Sequence, residues 1–138
     1  MNIKVNYTGD APIYATPGAA GADLLAPQEF SIEPNQQILI ELNLSLEIPA
    51  GYEGQIRGRS GLTIKKGIVS TLGTIDSDYR GRLGVHLTNT SDCRYDFQKG
   101  DRIAQLVIAP VVQAEFVRVE ELSDTSRGGG GYGSTGVK

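Results

Sequence analysis

The stretch "ILIELNLSLEI", residues 38–48, sets Ile38, Ile40, Leu42, Leu44, Leu46 and Ile48 on one face and polar residues on the other, Leu39 excepted. A period of two sustained over that length specifies a strand with one buried face, because a helix would scatter those side chains around its axis. The same alternation recurs in "GRLGVHLTN", with Leu83, Val85 and Leu87. "RIAQLVIAPVV" and "AEFVRVE" read as further strands, the first apolar enough to be buried on both faces. Turn chemistry separates these runs at "EPNQ", "PAGYEG" and "QKGD". "GLTIKKG" is the one segment suited to a helix, of two turns at most. Several short strands at close spacing predict an all-β sandwich or barrel. Low complexity begins near Ser126, which divides the chain into a core of residues 1–125 and a glycine-rich arm of residues 126–138.

The chain has 138 residues and a net charge of −3. That length suits one domain with a sizeable core. A net acidic chain without a basic stripe is not built for non-specific nucleic-acid binding, so any phosphate must be met by a few placed arginines and backbone amides. The N-terminal "MNIKVNYTGD" lacks the apolar core of a signal peptide, and no apolar run reaches membrane-spanning length. The single cysteine, Cys93, allows no internal disulfide, which fits a cytoplasmic protein. One cysteine and one histidine, His86, argue against a zinc site, and a hard cation such as Mg²⁺ held by oxygens is the simpler expectation.

Five stretches carry more chemistry than architecture needs. "AGADLLA" sets Asp23 among small and apolar residues, where a carboxylate requires a partner or an ion. "GRSGL" combines Arg59, the Ser60 hydroxyl and glycine, a set suited to phosphate because the guanidinium fork matches its oxygens. "GTIDSDYRG" holds Asp76, Asp78 and Tyr79 between glycines, and "GDRIAQL" puts Gln105 inside an apolar strand. "RGGGGYGSTG" is either a loose tail or a segment kept mobile to close over something. Each has a plain alternative: Asp23 could cap a turn, Arg59 could pair with a surface carboxylate, Gln105 could be a satisfied core amide, and the Asp76 segment could be an ordinary hairpin turn. His86 points to the face opposite Val85 and Leu87 and reads as structural.

Taken in order, "AGADL", "GRSGL", "GTIDSDYRG", "GDRIAQL" and "RGGGGYGSTG" resemble the five motifs of the trimeric deoxyuridine triphosphatases (dUTPases), and they span Ala20 to Gly136. The resemblance implies a jelly-roll-type β-barrel with one short helix and a flexible C-terminal arm. It also implies a homotrimer whose active sites lie between subunits. Such enzymes hydrolyse dUTP between the α and β phosphates, with Mg²⁺ on the triphosphate, giving dUMP and pyrophosphate. They thereby keep uracil out of DNA and supply dUMP for thymidylate synthesis.

By position, the resemblance makes Asp76 the group that orients and activates the attacking water. Tyr79 would lie against the deoxyribose and exclude a 2′-hydroxyl. Uracil would enter an opened hairpin running from Ser70 through Gly73, Thr74, Ile75 and Asp76 to Gly84, read mainly by main-chain groups. Ser70 stands where many relatives carry asparagine. Arg59, Ser60 and Gly61 would hold the phosphates from a neighbouring subunit, and Gln105 would approach the α phosphate. Asp23 would touch Mg²⁺ through a water. In the arm, Arg127 would pair with the terminal phosphate, Gly133, Ser134 and Thr135 would line the triphosphate, and Tyr132 would cover the base, where most relatives have phenylalanine. The rival readings are a dCTP deaminase of the same fold, a non-enzymatic nucleotide-sensing trimer and a purely structural jelly-roll trimer. Deaminases of that kind carry a glutamate where this chain has His86.

Overall fold

The computed structural model describes residues 2–137. Its elements follow in chain order as β1 (Asn6–Gly9), β2 (Ala22–Leu25), β3 (Phe30–Ile32), β4 (Gln37–Glu47), β5 (Tyr52–Arg57), α1 (Ser60–Lys66), β6 (Ile68–Ser70), β7 (Gly73–Ile75), β8 (Arg82–Asn89), β9 (Tyr95–Phe97) and β10 (Arg102–Pro110). The strands pair antiparallel into two four-stranded sheets, ordered β1-β4-β8-β6 and β2-β10-β5-β7, and a ribbon of β3 with β9. The two sheets and the ribbon share one apolar core in the jelly-roll manner. No continuous hydrogen-bonded barrel closes among the described residues.

The alternating stretch is β4, and it faces as its sequence dictates. Leu42, Leu44, Leu46 and Ile48 are buried, and Ile38 and Ile40 pack partly buried against the same core. Opposite them, Leu39 is 67% exposed. The first half of β4 pairs with β8, from Gln37↔Thr88 to Glu41↔Gly84, and its second half pairs with β1, from Leu44↔Gly9 to Glu47↔Asn6. Leu83, Val85 and Leu87 of β8 supply the facing layer. The turns fall where their chemistry predicts: Asn35 takes φ 63°, Gly51 φ 88° and Gly100 φ 88°, left-handed conformations that asparagine and glycine adopt most readily.

The short helix α1 ends at Gly67, whose φ of 69° and N–H bonds back to the Leu62 and Thr63 carbonyls close it. Lys65 and Lys66 lie in its last turn, where cations complement the helix dipole. On the β3–β9 ribbon, the Asp96 carboxyl is held below its ordinary range by the Ser31 hydroxyl and by Arg94. No helix of the described residues is long and apolar enough to cross a membrane.

Two expectations are corrected. "AEFVRVE" forms no strand: residues 111–119 lie outside every sheet, and Phe116 is 94% exposed, with Val117, Val119 and Leu122 also in solvent. Its alternation is real, but a strand forms only where the chain is brought alongside an edge, and residues 111–119 pair with none among the described residues. β10 ends at Pro110, so Val111 and Val112 are not part of it. Nor is β10 buried on both faces throughout, since Val107, Ile108 and Ala109 are only half-buried.

One buried polar side chain ties the end of β8 to its surroundings. Asn89 donates to the Ile32 carbonyl at 3.0 Å and the Cys93 carbonyl at 2.8 Å, and its side-chain oxygen accepts from the Ser91 N–H at 2.9 Å and the Ser91 hydroxyl at 2.7 Å. Asn89→Ala would strand these groups without water, so it is expected to destabilise the fold by about 2–4 kcal/mol. Chemical denaturation at fixed protein concentration measures this; a loss under about 1 kcal/mol would mean that water replaces the amide.

Candidate active site

β2 and β10 set Gln105 directly across from Asp23, and Gln105 has Arg57 of β5 as its neighbour on the other side. Asp23 is buried to 8% exposure, a costly place for a lone carboxylate. Arg102 Nε stands 3.2 Å from one of its oxygens and Arg59 Nε 3.7 Å from the other. Arg59 also donates to the Arg102 carbonyl at 3.4 Å. The carboxylate therefore has partners, and it gathers two guanidinium groups at the start of α1. Sequence reasoning passed over Arg102, although it lies in the quoted "GDRIAQL"; an irregularity in β10 between Arg102 and Ala104 turns it toward Asp23.

Gln105 settles the meaning of two glycines. Its amide donates to the Gly58 carbonyl at 2.9 Å, one residue before Arg59. A Cβ on Gly21 would collide with the same Gln105 side chain, so the glycine of "AGAD" makes room for the amide that holds the "GRSG" loop. A Cβ on Gly58 would touch Ser70 at 3.4 Å, which places Ser70 beside this loop. Ser60 and Gly61 follow in the first turn of α1, whose backbone N–H groups have no partners within the helix.

The Asp76 segment forms a second cluster. β7 ends at Ile75, and a turn closed by the Tyr79 N–H on the Asp76 carbonyl at 3.1 Å carries the chain from one sheet into the other. Asp76 is exposed. The Tyr79 hydroxyl donates to the Arg82 carbonyl at 2.9 Å. Arg80 donates to the Ser77 carbonyl at 2.6 Å and the Tyr79 carbonyl at 3.2 Å, and meets Glu47 of β4 at 3.5 Å. Arg80 and Glu47 were not singled out from sequence; Arg80 is inside "GTIDSDYRG", but Glu47 is remote in the chain.

Between the clusters two strand edges are open. β6 pairs with β8 over Ile68↔Asn89 to Ser70↔Leu87, with a last bond from the Thr71 N–H to the His86 carbonyl at 3.0 Å. The chain then leaves, and β7 joins β5 instead, through Gly73↔Ile56, Thr74↔Gln55 and Ile75↔Gly54. β7 thus keeps a free edge, and β8 from Leu83 to Val85 has only β4 beside it. Gly84 lies on that stretch, and a Cβ there would meet Leu39 at 2.9 Å, which explains the one apolar residue on the polar face of β4. His86 bonds through both ring nitrogens, to the Thr71 hydroxyl at 2.7 Å and the Gln37 side-chain oxygen at 3.0 Å. It ties strands together.

Among the described residues, the arm's hydrogen bonds are to itself and, from the Gly128 N–H, to the Thr125 hydroxyl at 3.0 Å. Arg127 donates to the Gly130 carbonyl at 2.9 Å, Gly130, Ser134 and Gly136 close short turns, and Tyr132 is fully exposed. Among the described residues, no hydrogen bond or ion pair links the arm, the Asp76–Tyr79 turn and the Asp23–Arg59–Gln105 cluster to one another. Nor does any group of three or more metal-binding side chains occur among them.

A family model described as dUTPase matches residues 8–136. The deoxyuridine 5′-triphosphate nucleotidohydrolase of Anaeromyxobacter sp. is 53% identical, over 99% of this chain and 98% of its own. That of Nautilia profundicola is 54% identical, over 96% of this chain and 95% of its own. Among solved structures, a dUTPase variant of Staphylococcus bacteriophage 80alpha with dUpNHpp superposes with a TM-score of 0.93 at 28% identity, covering 99% of this chain and 100% of its own. A variant dUTPase of the S. aureus phage phi11, described with a structural Mg(II) ion, gives a TM-score of 0.80 at 27% identity, covering 86% of this chain and 98% of its own.

If Gln105 anchors the Arg59 loop, Gln105→Met should loosen that loop while sparing the core. Amide exchange at Arg59–Gly61 is expected to rise about tenfold with an unchanged unfolding transition, the equivalent of one lost hydrogen bond. Unchanged exchange would show that the loop is held by other contacts.

Proposed function

The chain belongs to the dUTPase family, and on that premise we propose that Asp76 positions the water that attacks the α phosphorus of dUTP. It is a deoxyuridine triphosphate nucleotidohydrolase, an enzyme. In the reaction proposed here, the water oxygen bonds to the α phosphorus, the bond from that phosphorus to the α–β bridging oxygen breaks, and pyrophosphate leaves with that oxygen. The water's proton passes toward Asp76. A carboxylate is a weak base in bulk water, so geometry supplies most of its effect: a water held in line, with arginines spreading the charge that develops.

The observation that carries this reading is the open pair of edges on β7 and β8 that ends at Asp76. Free main-chain donors and acceptors from Gly73, Thr74, Ile75 and Gly84, with Ser70 at the lip, suit a flat base that bonds through fixed groups. Such groups separate uracil from cytosine because a mismatch leaves buried groups unpaired. Tyr79 follows within the same turn and is the wall against a 2′-hydroxyl. Phosphates would be met by Arg59, by the first-turn amides and hydroxyl of Ser60 and Gly61, and by Gln105 from the adjoining strand.

These parts are separate in one chain, and a homotrimer unites them. Each pocket takes its base slot and Asp76 from one subunit, Arg59, Ser60 and Gly61 from a neighbour, and the arm of residues 126–138 from another. The unpaired apolar segment around Phe116 supports assembly, since an extended row of exposed apolar residues is covered in a stable protein. In the arm, Arg127 takes the terminal phosphate, Gly133, Ser134 and Thr135 line the triphosphate, and the exposed Tyr132 ring covers the base and shuts out water.

Mg²⁺ fits this site only as the substrate's companion. Both Asp23 oxygens face arginines, and no cage of three metal-binding side chains occurs among the described residues. A hydrated ion carried by the phosphates and touching Asp23 through a water agrees with that arrangement and with magnesium's reluctance to dehydrate. When bound, it would neutralise phosphate charge. The lone cysteine agrees with work in the cytoplasm.

Pyrophosphate should be released from dUTP far faster than from dTTP, dCTP or UTP, and faster with Mg²⁺ than in chelator; an enzyme that leaves dUTP uncut refutes the reading. Asp76→Asn should lower turnover by at least about a thousandfold while dUTP binding persists. Turnover within tenfold of the parent would remove Asp76 from its role. Deleting residues 127–138 should leave a folded assembly of unchanged size with severely reduced activity, and full activity in that truncation would end the lid assignment.

A further inference from the structure

We propose that Gly81 is a positioning residue for sugar selectivity: it holds the Tyr79 ring in place by offering no side chain to push it aside. The inference rests on the reading of Tyr79 as the wall against a 2′-hydroxyl.

Glycine is usually required where the backbone takes a left-handed turn. Gly81 is not such a place, since it is absent from the residues with positive φ. Any residue could adopt its backbone. The obstacle is the ring of Tyr79: a Cβ at Gly81 would lie 2.5 Å from Cζ and 2.9 Å from Cε1, and closer still to the hydroxyl. Contacts that short do not occur, so one partner must move.

The ring has little freedom to move. Its hydroxyl is engaged by the Arg82 carbonyl at 2.9 Å, and Arg80 grips the carbonyls on both sides of the turn at 2.6 and 3.2 Å. Arg80 is itself tied to Glu47 on β4, which also accepts from Asn6 at 2.7 Å. The hydroxyl end of the ring therefore lies against Gly81, pinned at the Arg82 carbonyl, while Tyr79 as a whole remains 45% exposed. An exposed ring excludes a hydroxyl only if it cannot yield. A methyl at position 81 drives the ring off the Arg82 carbonyl and leaves it free to turn about its side-chain torsions. The wall then gives way to the larger sugar.

The test is a double-mutant cycle read on the ratio of kcat/KM for dUTP to that for UTP. Gly81→Ala should lower this ratio by at least about tenfold. In a Tyr79→Ala background the same change should have almost no further effect, because the new methyl then meets nothing. Gly81→Ala that unfolds while the double variant folds also supports the contact. Selectivity lost in Tyr79→Ala but kept in Gly81→Ala overturns the inference alone. Tyr79→Ala that still rejects UTP overturns the reading of Tyr79 and the inference with it. Equal losses from Gly81→Ala in both backgrounds would show that glycine acts there independently of the ring.

Discussion

The fixed register of β4 is the constraint on which the site depends. Its buried face is a single row, Leu42, Leu44, Leu46 and Ile48, continued by Ile38 and Ile40. A slip by one residue would put that row in water, at about 1.5–3 kcal/mol per side chain, so the strand has one position. With β4 fixed, Glu41 stands opposite Gly84 and Leu39 opposite His86, and Glu47 stands where Arg80 can reach it. Arg80 holds the turn bearing Asp76 and Tyr79. A hydrophobic pattern thus places a carboxylate on one strand, the carboxylate meets a guanidinium, and the guanidinium bonds to the turn that carries Asp76 and Tyr79 of the proposed site.

The two four-stranded sheets leave bonds unmade where β7 parts from β8, and the proposed function starts there. Backbone groups on an open edge need partners, which is why exposed edges are hazards in most β proteins. β7 and the Leu83–Val85 stretch of β8 keep such edges beside Asp76. In the proposed function, a planar base with donors and acceptors along one side answers that need. The unpaired segment around Phe116 poses the same problem on a larger scale, with apolar side chains in place of peptide groups. In the proposed trimer its solution is another subunit, so that ligand binding and assembly would both follow from groups that one chain leaves unsatisfied.

Local patterns were legible in the sequence, and long-range ones were not. The alternation in β4 and β8, the turns at Asn35, Gly51 and Gly100, and the short helix all depend on neighbours within a few residues. "AEFVRVE" misled because alternation shows which face would be buried but not whether the chain runs alongside an edge. Arg102, Arg80 and Glu47 were missed for a related reason. Their roles come from pairs far apart in the chain, Arg102 with Asp23 and Arg80 with Glu47, and no spacing rule connects them. The five motifs mark candidate regions by resemblance, but they do not distinguish groups that would touch a ligand from groups that hold those groups still.

Glycine illustrates that distinction most clearly. At Gly51 and Gly100, and at Gly128, Gly133 and Gly136 of the arm, it serves a backbone angle. At Gly21, Gly81 and Gly84 it serves a neighbour: Gln105, Tyr79 and Leu39 each occupy the space a side chain would need. Two of these three neighbours belong to the proposed site, and the third, Leu39, lies beside Gly84 of the proposed base slot. A glycine of this kind leaves no mark in hydrogen bonding or charge, and adding one methyl acts through a side chain that sequence comparison would credit with the whole effect. On the proposed reading, selectivity belongs to pairs of residues, one that meets the substrate and one that is small enough to let it stand there.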